Sequence, residues 1–199
     1  AATLRSRDAI VHEWNDAGQV GWLEGAGIDL VRGHGRLDGE RRVRVEASDG
    51  TERVLTARHA VAVCTGSAAL LPDIPGLADA EPWTSREATA VADVPARLAI
   101  LGGGVVACEL ATAFASFGTR VTVIARSGLL GPFEPFAGEA VAAALRDAGV
   151  DVLLRTEVAA VRREGDERVL VLRGEGQGEG EGDEAREVRA DQMLVATGR

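Results

Sequence analysis

The chain of 199 residues contains no lysine, and all 22 of its basic residues are arginines. A lysine that forms a Schiff base or acts as a tunable base is therefore excluded. Cysteine is scarce, since only Cys64 and Cys108 occur, and this suits a reducing compartment better than a disulfide-stapled secreted fold. The histidines, His12, His34 and His59, show no metal-ligand spacing, so we expect no metal site.

Long apolar runs and an excess of positive charge are also missing. No apolar run reaches the ~18 residues that a membrane-spanning helix needs. The first residues, AATLRSRDAIVHEW, are too polar for a signal peptide. We therefore expect a cytoplasmic protein without a membrane segment. The net charge of −9 argues against a nucleic-acid surface, although a local basic pocket for one anionic cofactor is compatible with it.

The first part of the sequence has a mixed pattern of helix and strand. Apolar residues at roughly helical spacing predict a helix over 4–27. The segment 28–37 is predicted to be a short buried strand that breaks into a glycine-bounded turn. Alternation on both sides of the turn Ser-Asp-Gly predicts a β-hairpin over 41–57. The continuous apolar run 59–67 is typical of a strand buried on both faces.

The next stretch marks the end of this part. Two prolines in 70–77 predict a connection, and Thr84 three residues before Glu87 forms a possible capping box for a short helix. A further break follows at Asp93, Val94 and Pro95. We place a domain boundary near residue 94, which divides the chain into 1–94 and 95–199.

The second part alternates strands and helices. The predicted order is strand 97–101, helix 105–117, strand 121–125, helix 136–148 and strand 150–154. This order implies a parallel βαβαβ unit and an α/β fold. A hairpin over 158–174 and a last strand over 193–198 complete the domain. Between them, the acidic, glycine-rich stretch 174–187 is predicted to be a solvated, mobile loop without function.

The glycines after the first of these strands match a dinucleotide fingerprint. Gly102, Gly104 and Ala107 have the spacing G-x-G-x-x-G/A between a strand and a helix. The first glycine allows a tight turn, the second lets the backbone approach a pyrophosphate, and the third small residue allows helix and strand to pack closely. The helix N-terminus then offers unpaired amides to the phosphates. A tight turn in an unrelated Rossmann-like domain, such as a methyltransferase, is the alternative.

The end of the second strand of this unit distinguishes between the two nicotinamide dinucleotides. An acid that binds the ribose hydroxyls of NAD is usual there, but this chain has Ala125 followed by Arg126 and Ser127. Arginine pairs well with a 2′-phosphate, and serine can add a hydrogen bond. The sequence therefore favours NADP(H), with NAD(H) possible. A merely solvated arginine at the strand end is the alternative.

Several segments together resemble one family, the flavin-dependent pyridine nucleotide–disulfide oxidoreductases. They are AVCTGSAALLPDIPGL, WTSREAT, LAILGGGVVACELATAFASFG, VTVIARSGLL and MLVATGR. The pair CTGS and ATGR, separated by a complete βαβ nucleotide domain, is the specific part, and the pattern is most similar to the mercuric reductase-like and dihydrolipoamide dehydrogenase-like branches. The resemblance implies FAD/NAD(P)-binding Rossmann-like domains, each with a parallel sheet and a β-meander, of which the first is incomplete.

The resemblance also implies roles for individual residues. Residues 1–94 would be the latter part of the FAD domain, and 95–199 the NAD(P)(H) domain. The FAD contacts would be Gly33, His34, Gly35, Thr65, Gly66 and Ser67. The nicotinamide dinucleotide contacts would be Gly102, Gly103, Gly104, Val105, Val106, Arg126, Ser127, Val158, Ala196, Thr197 and Gly198. Glu109 would be the catalytic glutamate near the nicotinamide and the flavin, although an acid one turn into a helix is also favoured by the dipole. Arg199 would point toward the flavin domain.

The departures from the family are informative as well. The chain has no second glycine fingerprint in 1–94, no C-x₄-C pair, and no lysine to pair with Glu109. We therefore expect a fragment of a longer enzyme that passes hydride from NADPH to FAD and on to a cysteine pair or an external acceptor. That enzyme is expected to be a homodimer through a domain outside this chain. A stand-alone NADP(H)-binding module without chemistry is the alternative.

Overall fold

The computed structural model describes residues 2–174 and 186–198. It divides into two compact units, Ala1–Gly66 and Ser67–Arg199. Most of the acidic loop predicted over 174–187, and also Arg199, lie outside the described residues. The boundary near residue 94 separates the segments predicted to bind FAD and the nicotinamide dinucleotide, and it stays a prediction. By their contacts, the residues between 67 and 94 belong to the second compact unit.

The first unit contains two helices and an antiparallel sheet. Its elements are α1 (Ala2–Ile10), α2 (Ala17–Gly25), β1 (His34–Leu37), β2 (Arg42–Glu46) and β3 (Glu52–Thr56). The strands pair in the order β1-β2-β3, so the hairpin predicted over 41–57 is confirmed and β1 extends it to a three-stranded meander.

The single helix predicted over 4–27 is wrong. A 3₁₀ turn, His12–Trp14, separates α1 from α2, and the backbone of Glu13 within it has a φ of 52°. After the turn, the Asn15 side-chain oxygen accepts a hydrogen bond from the Ala17 amide at 2.8 Å. Because such side chains compete with the helical hydrogen bonds, the helix ends and starts again at this point.

Two strand predictions in this unit also need correction. The segment 28–37 is predicted to be a short buried strand that leads into a glycine-bounded turn, but its first residues form no strand. The strand β1 is formed by the last four residues, where the turn is predicted, and all four are exposed. The segment 59–67 forms no helix or strand, and Val63 within it is 63% exposed. A buried strand needs hydrogen-bonding neighbours, and none of the described strands pairs with this segment. The apolar composition of 59–67 is therefore not sufficient to predict a buried strand.

The second unit contains the predicted parallel sheet. Its elements are α3 (Ser85–Thr89), β4 (Arg97–Leu101), α4 (Val105–Ser116), β5 (Arg120–Ala125), α5 (Pro135–Asp147), β6 (Asp151–Leu154), β7 (Thr156–Glu164), β8 (Glu167–Gly174), β9 (Glu187–Ala190) and β10 (Gln192–Val195). The sheet order is β10-β4-β5-β6, and all of its pairs are parallel. The predicted βαβαβ unit and the α/β fold class are confirmed.

This sheet lies in the middle of three layers. Alternate strand residues, such as Ala99, Leu101 and Ile124, pack with Leu170 and Leu172 of β8 in one buried cluster. Because successive strand residues face opposite sides, the neighbouring strand residues are directed to the other face, where α4 and α5 contact β5 and β6. The second unit is therefore an α/β sandwich with helices on one face and a meander on the other.

The meander and the preceding connection complete this unit. The strands β7, β8 and β9 are antiparallel, so the hairpin is confirmed, whereas β9 was not predicted. The predicted connection 70–77 is confirmed, and a Cβ on Gly76 within it would collide with the carbonyl of Val161. The capping box is also confirmed, because the Glu87 carboxylate accepts hydrogen bonds from the Thr84 amide at 2.8 Å and hydroxyl at 2.6 Å. Within 2–174 and 186–198, no helix has the length and apolarity to cross a membrane.

Candidate functional site

A turn of three glycines joins β4 to α4 at the carboxyl end of the parallel sheet. The Gly102 amide donates to the Ile124 carbonyl at 2.9 Å, which extends the pairing of β4 with β5 by one residue. The Gly103 carbonyl accepts from the Leu130 amide at 2.7 Å. The turn is thus held by the loop that follows β5, and its position relative to the sheet edge is defined by backbone contacts.

The three glycines are required for different reasons. Gly102 has a φ of +134°, and a Cβ there would collide with the carbonyl of Ala196. A Cβ on Gly103 would lie 3.1 Å from the Cβ of Ala125, which is tight packing. A Cβ on Gly104, in contrast, would meet no protein atom within 4 Å. Protein packing therefore explains the first two glycines but not the third. Gly104 faces open space, through which a ligand could contact the backbone.

That open space is a cavity at the amino end of α4. Gly104 is the N-cap residue, and no side chain caps the helix. The first amides of a helix lack intrahelical acceptors and carry the positive end of its dipole. The cavity has a volume of about 290 Å³, and its lining consists of Ala69, Ser85, Gly103, Gly104, Val105, Val106, Val195, Ala196, Thr197 and Gly198. The site is therefore suited to an anionic group beside an apolar surface.

A larger cavity of about 520 Å³ lies on the other side of the turn. Its lining consists of Leu70, Pro72, Asp73, Ile74, Leu101, Gly102, Gly103, Ile124, Ala125, Arg126, Ser127, Glu157, Val158 and Thr197. Among the described residues, Arg126 is the single basic side chain in this lining, and it is exposed at the end of β5. Gly103 and Thr197 line both cavities. Two spaces that meet at a helix N-terminus fit a ligand with two bulky halves joined by an anionic link.

The structure brings together all of the residues that the sequence assigned to the nicotinamide dinucleotide. Each of them lines at least one of the two cavities: Gly102 to Val106, Arg126, Ser127, Val158, and Ala196 to Gly198. Glu109 is exposed on α4, one turn beyond Val105, and lines neither cavity. Its role stays a prediction.

The residues assigned to FAD are not brought together in these cavities. Gly33 has a φ of +145°, and a Cβ there would lie 2.5 Å from the Glu46 carbonyl, so chain packing alone explains this glycine. His34 and Gly35 are exposed on β1. The remaining three residues, Thr65, Gly66 and Ser67, are exposed and outside any helix or strand. The role of these six residues in flavin binding stays a prediction.

Sequence reasoning missed one wall of the site. The segment 69–74 lies against the end of the chain's last strand, where the Leu70 amide donates to the Gly198 carbonyl at 3.0 Å and the Thr197 hydroxyl donates to the Leu70 carbonyl at 3.1 Å. The prolines in this segment signalled a connection but not its partner. Glu157 on β7 was also missed, because the sequence does not show that this residue lines the larger cavity.

The described residues near the site include a buried cysteine on α4. Among the described residues, no three His, Cys, Asp or Glu side chains are grouped so that they could hold a metal ion. Cys108 is buried in α4, and this burial raises the pKa of its thiol, which disfavours the reactive thiolate. Cys64, the other free cysteine, lies in the first unit.

The parallel sheet and the glycine turn between β4 and α4 define a Rossmann-type α/β domain. A model of the pyridine nucleotide-disulphide oxidoreductase family matches residues 9–199. The chain therefore belongs to that family, whose members use FAD and a nicotinamide cofactor. This membership is at odds with the alternative of an unrelated Rossmann methyltransferase.

Mercuric reductases are among the relatives of this chain. The chain is 41% identical to mercuric reductase from Acidithiobacillus ferrooxidans over 199 residues, which are all of this chain and 34% of that protein. It is 40% identical to mercuric reductase from Shigella flexneri, with the same coverage of both chains. The chain thus spans about a third of the length of these relatives and corresponds to a fragment of such a protein.

Solved structures support the same fold. The Cu(II) complex of a cysteine-to-serine mutant of RclA, the HOCl-induced flavoprotein disulfide reductase from Escherichia coli, aligns with a TM-score of 0.80 and 23% identity, over 98% of this chain and 42% of that one. A second structure of RclA from Escherichia coli aligns with a TM-score of 0.78 and 22% identity, over the same shares of both chains.

Proposed function

We propose that the domain 95–199 binds a nicotinamide dinucleotide across the two cavities. The observation that carries this proposal is that both cavities meet at Gly103 and Thr197, beside the uncapped amino end of α4. A pyrophosphate at this junction would accept hydrogen bonds from the backbone amides of the turn and the first helical turn. The open space at Gly104 supports this arrangement, because it lets the ligand approach the backbone.

In this proposal, the larger cavity holds the adenosine half and the smaller one the nicotinamide half. Arg126 and Ser127 are in the larger cavity, where they would bind a 2′-phosphate, and Val158 would border the adenine. NADP(H) is therefore the preferred ligand, and NAD(H) the weaker one. In the smaller cavity, Val105 and Val106 are each about two-fifths exposed, at 43% and 41%, and they offer an apolar surface to the nicotinamide ring.

For the full-length enzyme we propose NADPH-dependent reduction through FAD to a cysteine pair or an external acceptor, of which mercuric ion is the one suggested by the relatives. When bound, the reduced nicotinamide supplies a hydride. The residues of this chain hold and orient that donor: the glycine turn fixes the pyrophosphate, and the two valines exclude water from one face of the ring. Glu109, one turn further along α4, is proposed to lie near the nicotinamide. The part of Gly33, His34, Gly35, Thr65, Gly66 and Ser67 in flavin binding rests on the family membership alone.

A titration of the purified chain with NADPH tests the dinucleotide site. The variant Gly104→Val places a branched side chain at the smaller cavity, at a position where a Cβ would meet no protein atom within 4 Å. We expect its NADPH affinity to fall by about tenfold or more, which corresponds to ~1.4 kcal/mol, while the melting temperature is unchanged. The matched control is Gly131→Val, since a Cβ on Gly131 also meets nothing within 4 Å but lines neither cavity.

Equal NADPH affinities for wild type and Gly104→Val would overturn the proposed position of the pyrophosphate. A wild-type chain that is folded by circular dichroism and binds neither NADPH nor NADH would overturn the proposal as a whole.

A further inference from the structure

The larger cavity contains two carboxylates to which the proposed function gives no role. Asp73 lies in the connection 70–77, and Glu157 is the second residue of β7. Both line the cavity together with Arg126. Because Arg126 is the single basic residue that the described part of the chain contributes to this lining, the described acids outnumber the described cation that would attract a 2′-phosphate. The cavity is therefore less favourable for a phosphate than Arg126 by itself would make it.

The three charges are not neutralised by direct contact. No ion pair joins Arg126 to Asp73 or to Glu157, although all three side chains are described and exposed. The acids consequently act on a ligand through space, and solvent and salt weaken that action. An exposed carboxylate of this kind changes ligand binding through its charge, and it needs no fixed geometry to do so.

An acid close to a dinucleotide can act in three ways, and these differ in selectivity. It can repel the 2′-phosphate, which weakens NADPH binding only. It can accept a hydrogen bond from the 2′-hydroxyl, which strengthens NADH binding only. It can also contact the adenine, which affects both dinucleotides equally. The first two actions both lower the preference for NADPH.

On this basis, and resting on the proposed function, we propose that Asp73 and Glu157 are specificity-determining residues of the dinucleotide site. Arg126 attracts the 2′-phosphate, and the two carboxylates oppose it. The selectivity between NADPH and NADH is then a balance of one attraction and two repulsions across one cavity. This balance lets the site accept NADH to a degree that Arg126 alone would not allow.

The experiment measures equilibrium dissociation constants for NADPH and NADH by the fluorescence of the reduced nicotinamide. It compares wild type with Asp73→Asn, Glu157→Gln and the double variant, at low and at high ionic strength. Each neutral variant is expected to raise the NADPH/NADH preference by about two- to fourfold at low salt, and by less at high salt. Competition with 2′-phospho-ADP-ribose and ADP-ribose is expected to reproduce the effect without the nicotinamide. Asp147→Asn, an exposed acid at the end of α5 that lines neither cavity, is the control.

An unchanged preference in the double variant, or an equal change in affinity for both dinucleotides, would overturn the inference. If this occurs while Arg126→Ala still abolishes the preference, the proposed function stands and only the role of the acids fails. If wild type binds neither dinucleotide, the proposed function fails and the inference fails with it.

Discussion

Gly102 and Ala196 approach each other so closely that a side chain on Gly102 would collide with the carbonyl oxygen of Ala196. The contact is reinforced by the neighbouring residues, because the Ala196 amide donates to the Leu101 carbonyl at 2.8 Å. The first glycine of the turn and the segment after β10 are far apart in the sequence but in contact in the structure. Gly102 lines the larger cavity and Ala196 lines the smaller one. The proposed dinucleotide site depends on this contact before any ligand is bound.

Gly102→Ala is expected to destabilise the second unit strongly. The substitution forces a non-glycine residue into a φ of +134° and into the Ala196 carbonyl, which together cost about 3 kcal/mol or more. Urea unfolding followed by circular dichroism measures this loss. Gly104→Ala is the matched control, since its Cβ would meet no protein atom within 4 Å. Similar stabilities of the two variants would contradict the role assigned to Gly102.

Arg126→Ala is expected to remove most of the preference for NADPH. The wild-type chain should bind NADPH at least about tenfold more tightly than NADH, because a guanidinium pairs with the 2′-phosphate. In the variant, NADPH affinity should fall toward that of NADH, whose own affinity changes little. Titration by nicotinamide fluorescence gives both constants.

The control for this prediction is Arg120→Ala, which removes an exposed arginine from the opposite end of the same strand. It should leave the preference intact. Equal wild-type affinities for the two dinucleotides would show that Arg126 is only a solvated residue at the strand end.

An ion-pair network at the amino-terminal ends of the strands is expected to make stability depend on pH. The Asp191 carboxylate accepts hydrogen bonds from the Arg97 amide at 2.8 Å and from its Nε at 2.9 Å, while the Arg97 guanidinium also contacts Glu167 at 2.7 Å. The Arg97 side chain lowers the pKa of the Asp191 carboxyl, and its backbone amide adds to the effect. Arg97 and Arg189 similarly lower the pKa of the Glu167 carboxyl.

A carboxyl group whose pKa is lower in the folded state stabilises the fold above its unfolded pKa, and this contribution is lost as the pH falls through the folded value. Asp191→Asn should therefore cost about 1 kcal/mol at pH 7, and the difference from wild type should shrink as the pH falls below about 4. Urea unfolding over this range tests it. Asp93→Asn, an exposed acid outside this network, should show no such pH-dependent difference. A wild-type to Asp191→Asn difference that is constant with pH would contradict the assignment.

The second unit is expected to fold without the first. In residues 2–66, only Leu4 and Val45 are buried apolar side chains, whereas Trp22 is 68% exposed. The second unit contains a continuous buried cluster between the parallel sheet and the meander. A chain of residues 67–199 should therefore unfold cooperatively and bind NADPH like the full chain, while residues 1–66 alone should lack cooperative unfolding. Cooperative thermal unfolding of 1–66, measured by circular dichroism, would refute this expectation.

Parts of the fold could be predicted because they depend on residues close in the sequence. The glycine turn after 97–101, the capping box of Thr84 and Glu87, and the hairpin over 41–57 each carry their own local signal, and all three are confirmed. The segment 59–67 has the apolar composition of a buried strand but forms none, because a strand also requires a partner with which to hydrogen-bond.

By itself the sequence determined the βαβαβ unit, the glycine turn and the family, since strand and helix periodicity and the spacing of Gly102 and Gly104 are local properties. Only the tertiary structure decided which distant residues complete the site. The Leu70 segment reaches Gly198 through a backbone hydrogen bond, and β7 brings Glu157 into the cavity of Arg126. Such contacts depend on how the layers pack. The residues they join are far apart along the chain, so no local sequence pattern predicts them.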